Sequence, residues 1–362
     1  MSYNIDMASE MPRRRFVKLA ALTAAGIGLS TYKVAELPST QEVLSRLDNL
    51  TLRVPDGFPA NLVGISGNAP YLWTRSDEQI SKILNQAASW GIKTIRLLPD
   101  NLQKDEPELS EYGPGFYAYL EGIKKVADLA KDRGIGIIVD FFDGHYLTSE
   151  PTNSYRGKFF EDDLLKASFM TRVDTMLSHL SGNEGIAGWT IANELPCKRD
   201  KLSIARQTEW YRQVIQHIRD HGETKPIFTG LEHPDYVNMQ ELDGLNVIHT
   251  AHRYPHHRIM KGFNLANFAQ CSPLAVAEIG IPSFLPSKLF PGFLERVIEG
   301  AQTDSELALP FFGFWQIDAD HNDGFVISST DKPEVFEAIQ ILNDWYQRQP
   351  ISDMHTAHAS SV

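Results

Sequence analysis

A single repeat organises most of this chain. Short runs rich in Val, Ile and other apolar residues alternate with longer stretches whose apolar residues recur every three or four positions. The short runs are Asn61–Ile65, Thr94–Leu98, Gly136–Asp140, Ile186–Ala192, Pro226–Thr229, Asn246–Thr250, Leu274–Glu278 and Phe311–Trp315. Their length and composition predict strands. The stretches Ser76–Trp90, Phe116–Arg133, Leu165–Leu180 and Ala205–His221 predict amphipathic helices, with Ile80, Ile83 and Leu84 marking the stripe of the first. Pro333–Gln347 predicts a closing helix. Gly91, Gly134 and Gly222 stand just past helix ends, where φ > 0 is often needed. Eight strands alternating with helices point to an α/β fold of the (β/α)8 (TIM) barrel type. An open doubly wound sheet is the competing arrangement. No Gly-x-Gly-x-x-Gly follows the first run, which weakens its dinucleotide-binding form. The expected organisation is a leader over 1–40, one barrel domain over 41–350 and a disordered tail over 351–362.

In a parallel barrel, chemistry gathers at the C-terminal ends of the strands. The second run ends near Arg96, and the third leads into Asp140-Phe141-Phe142-Asp143-Gly144-His145-Tyr146. The fourth ends Ala192-Asn193-Glu194, and the fifth leads to Glu232 and His233. The sixth is followed by His252-Arg253-Tyr254-Pro255-His256-His257. The seventh ends Ala277-Glu278, and the eighth Phe314-Trp315-Gln316. A carboxylate buried beside an apolar strand costs several kcal/mol unless it is paired or protonated. Glu194 and Glu278 each end such a strand, so together they form a candidate catalytic dyad at one barrel mouth. Taken singly, each reads as readily as a salt-bridge partner.

Asn-Glu ending strand four, His-x-Tyr after strand six, Glu ending strand seven and Trp ending strand eight resemble glycoside hydrolase family 5, the cellulase and mannanase family. The two glutamates are shared by its wider clan of retaining (β/α)8 glycosidases. The resemblance spans about residues 55–348. It implies Glu194 as acid/base and Glu278 as nucleophile. It implies Arg96 as support for the nucleophile, Asn193 at the sugar 2-hydroxyl, His252 and Tyr254 as the strand-six pair, and Trp315 as a sugar platform. The chain departs from the family at two points. Leu195 stands between Glu194 and Pro196, where Asn-Glu-Pro is usual. Phe142 replaces a histidine often found at the end of strand three, with His145 three residues later. A sister family of the clan stays open on these grounds.

The implied activity is retaining hydrolysis of a β-linked glucan or mannan by double displacement. That chemistry needs two carboxyl groups about 5–5.5 Å apart, one ionised to attack the anomeric carbon and one protonated to release the leaving oxygen. No cofactor or metal is implied; an oligo- or polysaccharide is the expected partner. Glu232 is the rival carboxylate. Asp140 and Asp143 are candidates for structural hydrogen bonds.

Two other classes compete. One is a metal-dependent barrel hydrolase using His252, His256 and His257, with His249 nearby. No His-Glu-x-x-His is present, and Pro255 breaks a helical i, i+4 arrangement. The acidic loop Asp318–Gly324 resembles a calcium loop, but its Gly stands one place late and Ser329 occupies the closing position. The other class is a non-catalytic sugar-binding barrel, with Tyr71, Trp73, Tyr112, Tyr146 and Tyr236 lining a cleft. A pure binder has no need of both glutamates.

Composition removes further options. With 34 Lys+Arg against 46 Asp+Glu, the net charge of −12 argues against a nucleic-acid partner. A hydrophobic fraction of 42% excludes a disordered chain. No apolar run is long enough to span a bilayer. Cys197 and Cys271 flank strands at opposite barrel ends, about 17 Å apart along a five-residue strand. A disulfide needs Cα atoms within about 7 Å, so two free thiols are expected. The segment Arg13-Arg14-Arg15-Phe16-Val17-Lys18, followed by an apolar Leu19–Leu29, resembles a twin-arginine export signal. It implies the twin-arginine machinery as a partner and a periplasmic or secreted location, or anchoring by an uncleaved leader.

Overall fold

The computed structural model describes residues 39–45, 47, 58–99, 114–144, 156–195, 201–232, 236–253, 274–279, 290–292, 294, 312–315 and 333–348. The leader, the C-terminal tail, both cysteines, Tyr254, His256, His257 and the 318–324 loop lie outside them.

Eight parallel strands close into a barrel in sequence order, β1 pairing with β8. They are β1 (Ile65–Asn68), β2 (Ile92–Leu97), β3 (Gly136–Asp140), β4 (Ile186–Thr190), β5 (Ile227–Phe228), β6 (Val247–Arg253), β7 (Leu274–Ile279) and β8 (Phe312–Trp315). The helices are α1 (Thr40–Ser45), α2 (Asp77–Ser89), α3 (Pro114–Lys131), α4 (Asp163–Leu180), α5 (Lys201–Asp220) and α6 (Pro333–Arg348).

Local chemistry sets the helix ends. Ser76 caps α2 in a reciprocal box with Gln79, so two of the unpaired donors of the first turn are satisfied. Ile80, Ile83, Leu84 and Ala87 then fall on one buried face. The helix stops at Gly91, whose φ of 75° disfavours any residue with a Cβ and whose Cβ position Asn343 of α6 occupies. Asp162 caps α4 by accepting from the Leu164 and Leu165 amides. Pro333 opens α6, where its missing N–H costs nothing.

The first strand departs from expectation. Residues 60–62 form a 3-10 turn, closed by the Leu62 amide on the Pro59 carbonyl at 2.9 Å. The strand begins at Ile65 and continues through Ser66, Gly67 and Asn68. The turn has a packing role. Leu62 fills the space that a Cβ on Gly136 would need, at the start of β3. The strand that follows carries few apolar side chains because it contributes small and polar groups to the barrel interior. β5 is also shorter than expected and β6 longer, reaching past Thr250 through His252 to Arg253.

The core lies between barrel and helices. Trp189 of β4 stacks on Phe141 at 5.0 Å and donates its indole N–H to Glu223 at 2.9 Å. Behind β3, Phe142, Phe159, Phe169 and Trp210 form a chain of ring contacts between 5.0 and 6.2 Å. Arg172 of α4 is buried there. It donates to the Phe141 carbonyl at 2.7 Å and lies 4.8 Å over the Phe116 ring, tying a helix to the end of a strand. No helix of the described residues is long and apolar enough to cross a membrane.

Candidate active site

The C-terminal strand ends hold a buried polar cluster centred on Arg96. Its guanidinium donates Nε to Asp140 Oδ1 at 2.9 Å and Nη2 to Asp140 Oδ2 at 2.5 Å. Nη1 reaches Glu278 Oε1 at 2.6 Å, and Nη2 also donates to Asn193 Oδ1 at 2.8 Å. One planar fork thus ties together the ends of β2, β3, β4 and β7. Burial alone would lower the Arg96 proton affinity, but Asp140 and Glu278 outweigh it and hold the group above its ordinary range. For Asp140 burial wins instead, lifting the carboxyl to about 6 against the pull of Arg96.

Glu194 stands just past β4 at φ 43°, a left-handed conformation uncommon outside glycine. Three backbone bonds hold it there. The Asn193 amide donates to Phe142 O at 2.8 Å, the Glu194 amide to Gly230 O at 2.8 Å, and the Gly144 amide to Asn193 O at 2.7 Å. Gly230 itself sits at φ 73°, with Ala192 O where a Cβ would go, so β5 can approach this turn only through a glycine. The extra residue Leu195 is buried in the core.

His252 connects the two glutamates. Its Nδ1 lies 2.6 Å from Glu194 Oε1 and 3.4 Å from Glu278 Oε2. The register of β6 on β7 shifts between Ala251 and His252, which sets His252 opposite Glu278. One oxygen of each glutamate and a ring nitrogen of His252 all lie within 4.8 Å of one another. Three such donors could also approach a metal ion. Here Arg96 already supplies the charge that balances Glu278, and the donor set fits a proton-handling carboxyl pair as it stands.

Of the residues singled out in the sequence, Arg96, Asn193, Glu194, His252 and Glu278 converge. Trp315 occupies the end of β8, in register with Asn68. Glu232 follows β5, its carbonyl accepts from the His252 amide at 3.2 Å, and the residue is half-buried. Trp73, a candidate cleft aromatic, is instead buried, packed edge-on to Tyr119 at 4.9 Å with its N–H on the Leu98 carbonyl. Tyr71 and Tyr236 are half-buried. Phe142, where a histidine is common, belongs to the aromatic layer behind β3.

Two further residues support the cluster, Asn68, which the sequence does not single out, and Asp143, which it offers as a hydrogen-bonding residue. Asn68 is fully buried and donates Nδ2 to the Ala277 carbonyl at 3.2 Å, bracing β7 one residue before Glu278. Asp143 accepts from Asn193 Nδ2 at 3.2 Å, which turns the Asn193 carbonyl oxygen towards Arg96. The displacement of strand one hides Asn68 in the sequence, and the partner of Asp143 depends on which strand ends meet.

A closed parallel barrel with paired carboxyl groups at its mouth defines a class of (β/α)8 hydrolase. The family model for cellulase (glycosyl hydrolase family 5) matches residues 54–272, more than half the chain, and the protein belongs to that family of glycoside hydrolases. The match covers β1 through β6, including Arg96, Asn193, Glu194 and His252; Glu278 and β8 lie beyond it. No curated protein matches the chain. Among solved structures, the endo-β-1,4-mannanase from Rhizomucor miehei is similar at 17% identity and TM-score 0.63, covering 83% of this chain and 100% of that one. The endo-β-1,4-mannanase from Thermotoga petrophila is similar at 19% identity and TM-score 0.60, covering 80% and 78%. The exo-β-1,4-mannosidase Op5Man5 from Opitutaceae bacterium strain TAV5 is similar at 18% identity and TM-score 0.59, covering 79% and 60%. At these identities the likeness establishes the fold.

Proposed function

We propose that this protein is a retaining glycoside hydrolase acting on β-1,4-linked mannosides, with Glu278 as nucleophile and Glu194 as general acid and base. The spacing of the two carboxyl groups carries the reading. One oxygen of Glu194 and one of Glu278 lie within 4.8 Å, which supports the narrow gap of a retaining enzyme over the about 6.5–9.5 Å of an inverting one. The mannan-active character of the similar solved structures supports the substrate class.

The roles follow from the partners. Glu278, ion-paired with Arg96, attacks the anomeric carbon as the carboxylate. Glu194 protonates the leaving oxygen in that step. Once the glycosyl–enzyme ester forms, the charge on Glu278 is gone, and Glu194 loses its proton more readily and activates water. Asn193, held between Arg96 and Asp143, is placed to bond the sugar 2-hydroxyl as positive charge develops on the ring. Tyr254 and Trp315 are proposed to contact the nucleophile and the sugar face respectively. The basic leader is proposed to send the folded enzyme out by the twin-arginine route, which predicts cytoplasmic retention when Arg13 and Arg14 are both replaced by Lys.

The deciding experiment is hydrolysis of β-1,4-mannan, β-glucan and xyloglucan, followed by proton NMR from the first turnover. Release of β-anomeric product from mannan is expected. First appearance of the α-anomer would overturn the mechanism, and cleavage confined to glucans would overturn the substrate class.

A further inference from the structure

Outside the barrel mouth, one cluster of ligand-type side chains bridges two neighbouring helices of the outer wall. Asp174 lies on α4, His217 in the last turn of α5, and His221 just past its end. His217 Nε2 is 2.5 Å from Asp174 Oδ1, and His221 Nε2 is 3.2 Å from the same oxygen. The two imidazoles are four residues apart on one helical face, their ring centroids 4.5 Å apart. One ligand atom from each of the three residues falls within 4.8 Å of the others. The side chains are 27%, 42% and 44% exposed for His217, His221 and Asp174, so the cluster is open to solvent and supported from below.

The hydrogen bonding of His221 also leaves its Nε2 as the atom that faces the cluster. Its Nδ1 lies 2.8 Å from the His217 carbonyl oxygen, which can only accept, so Nδ1 carries a proton. In a neutral imidazole Nε2 then presents a lone pair, and it presents that lone pair to a carboxylate oxygen at 3.2 Å. A doubly protonated His221 would donate to Asp174 there; a divalent cation takes the place of that proton and is bound by both groups. An Nδ1–H bonded to a backbone carbonyl is also the outer contact that orients metal-binding histidines. The cluster stands at the negative end of the α5 dipole, which adds to the pull on a cation.

We propose that Asp174, His217 and His221 form a binding site for a late first-row divalent metal of the zinc type, joining α4 to α5. Two imidazole nitrogens and one carboxylate oxygen suit such an ion, whereas calcium and magnesium favour oxygen-only sets. Bonds of about 2.0–2.1 Å in a tetrahedron separate neighbouring ligands by about 3.3 Å. The His221 contact already has that span; His217 opens from its hydrogen-bond distance by under about 1 Å, a small rotation. Water completes the shell on the solvent side. Because α5 ends where the chain turns back to enter β5, the site lies at the opposite end of the barrel from Glu194 and Glu278. Its effect is therefore on stability.

The test is calorimetric titration of chelator-treated full-length protein with Zn2+, in wild type, in the double variant H217Q/H221Q and in E278Q. Wild type and E278Q are expected to bind one Zn2+ equivalent that the double variant lacks. A hundredfold excess over Kd is expected to raise the wild-type melting temperature by roughly 4 °C and leave the double variant unmoved. Co2+ in place of Zn2+ is expected to give a visible absorption band lost in the same variant. Failure of wild type to bind Zn2+ would show that a proton alone occupies the gap and overturn the proposal. Binding that survives in H217Q/H221Q, or disappears in E278Q, would assign the metal elsewhere and overturn it equally.

Discussion

Glu194 and Glu278 face each other across a few ångströms, yet the chain around each is built differently. Glu278 lies within a strand, its side chain 4% exposed, with Arg96 bound at 2.6 Å. Glu194 lies past the end of its strand in a left-handed backbone conformation, its side chain 18% exposed, and its close partner is an imidazole. The left-handed residue costs on the order of 1–3 kcal/mol, which the three backbone bonds around it offset. A guanidinium stabilises one charge state of its partner; an imidazole can serve either. The difference suits the two roles proposed above, an ion-paired nucleophile at Glu278 and a proton-transferring group at Glu194.

The largest expected effect comes from removing the fixed charge. Glu278→Ala should lower kcat by about 10^4-fold or more, since it removes the proposed nucleophile. A 2-fluoro mannoside with a good leaving group should trap an ester on Glu278, identified by peptide mass. Trapping on Glu194 or Glu232 would reverse the comparison.

A smaller and more selective loss is expected at the other side. Glu194→Ala should cost about 10²–10⁴-fold on mannan, the usual contribution of a general acid. With a dinitrophenyl mannoside, whose leaving group needs no proton, glycosylation should survive and the ester should accumulate. Added azide should then restore turnover by attacking without a general base. Equal loss on both substrates, with no azide response, would give Glu194 a merely structural place.

Much of this contrast is legible in the amino-acid sequence. The alternation of strands and helices dictated closure, and closure placed residues 96, 193, 252 and 278 at one mouth. What escaped the reading depended on packing between segments far apart in sequence. Asn61–Ile65 looks strand-like in composition, yet Asn61 and Leu62 belong to a 3-10 turn, Leu62 serves as a plug beside Gly136, and the strand proper runs from Ile65 to Asn68. The Arg96 fork chose Asp140, 44 positions away, because adjacent strands brought them into reach. The spacing of His217 and His221 is visible in sequence, but their third partner stands on another helix. Trp73 misled for a similar reason: its aromatic character suits a cleft or a core, and Tyr119 decided for the core.

Asp140 offers the smallest and most diagnostic effect, because it shares Arg96 with Glu278. Burial raises its folded-state value to about 6 from 3.8, so the folded protein holds this proton more tightly than the unfolded chain. A raised carboxyl stabilises the fold fully below pH 3.8 and loses that contribution as pH climbs through 6. The stability of wild type minus that of D140N should therefore decline across this window, by roughly 3 kcal/mol at most. Urea unfolding of both proteins at several pH values between 4 and 7 measures it. A difference that grows with pH would mean that Arg96 holds Asp140 ionised throughout and is shared equally with Glu278. A decline would mean that below pH 6 Asp140 is neutral, which leaves Glu278 as the one carboxylate charge among the described partners of the Arg96 guanidinium.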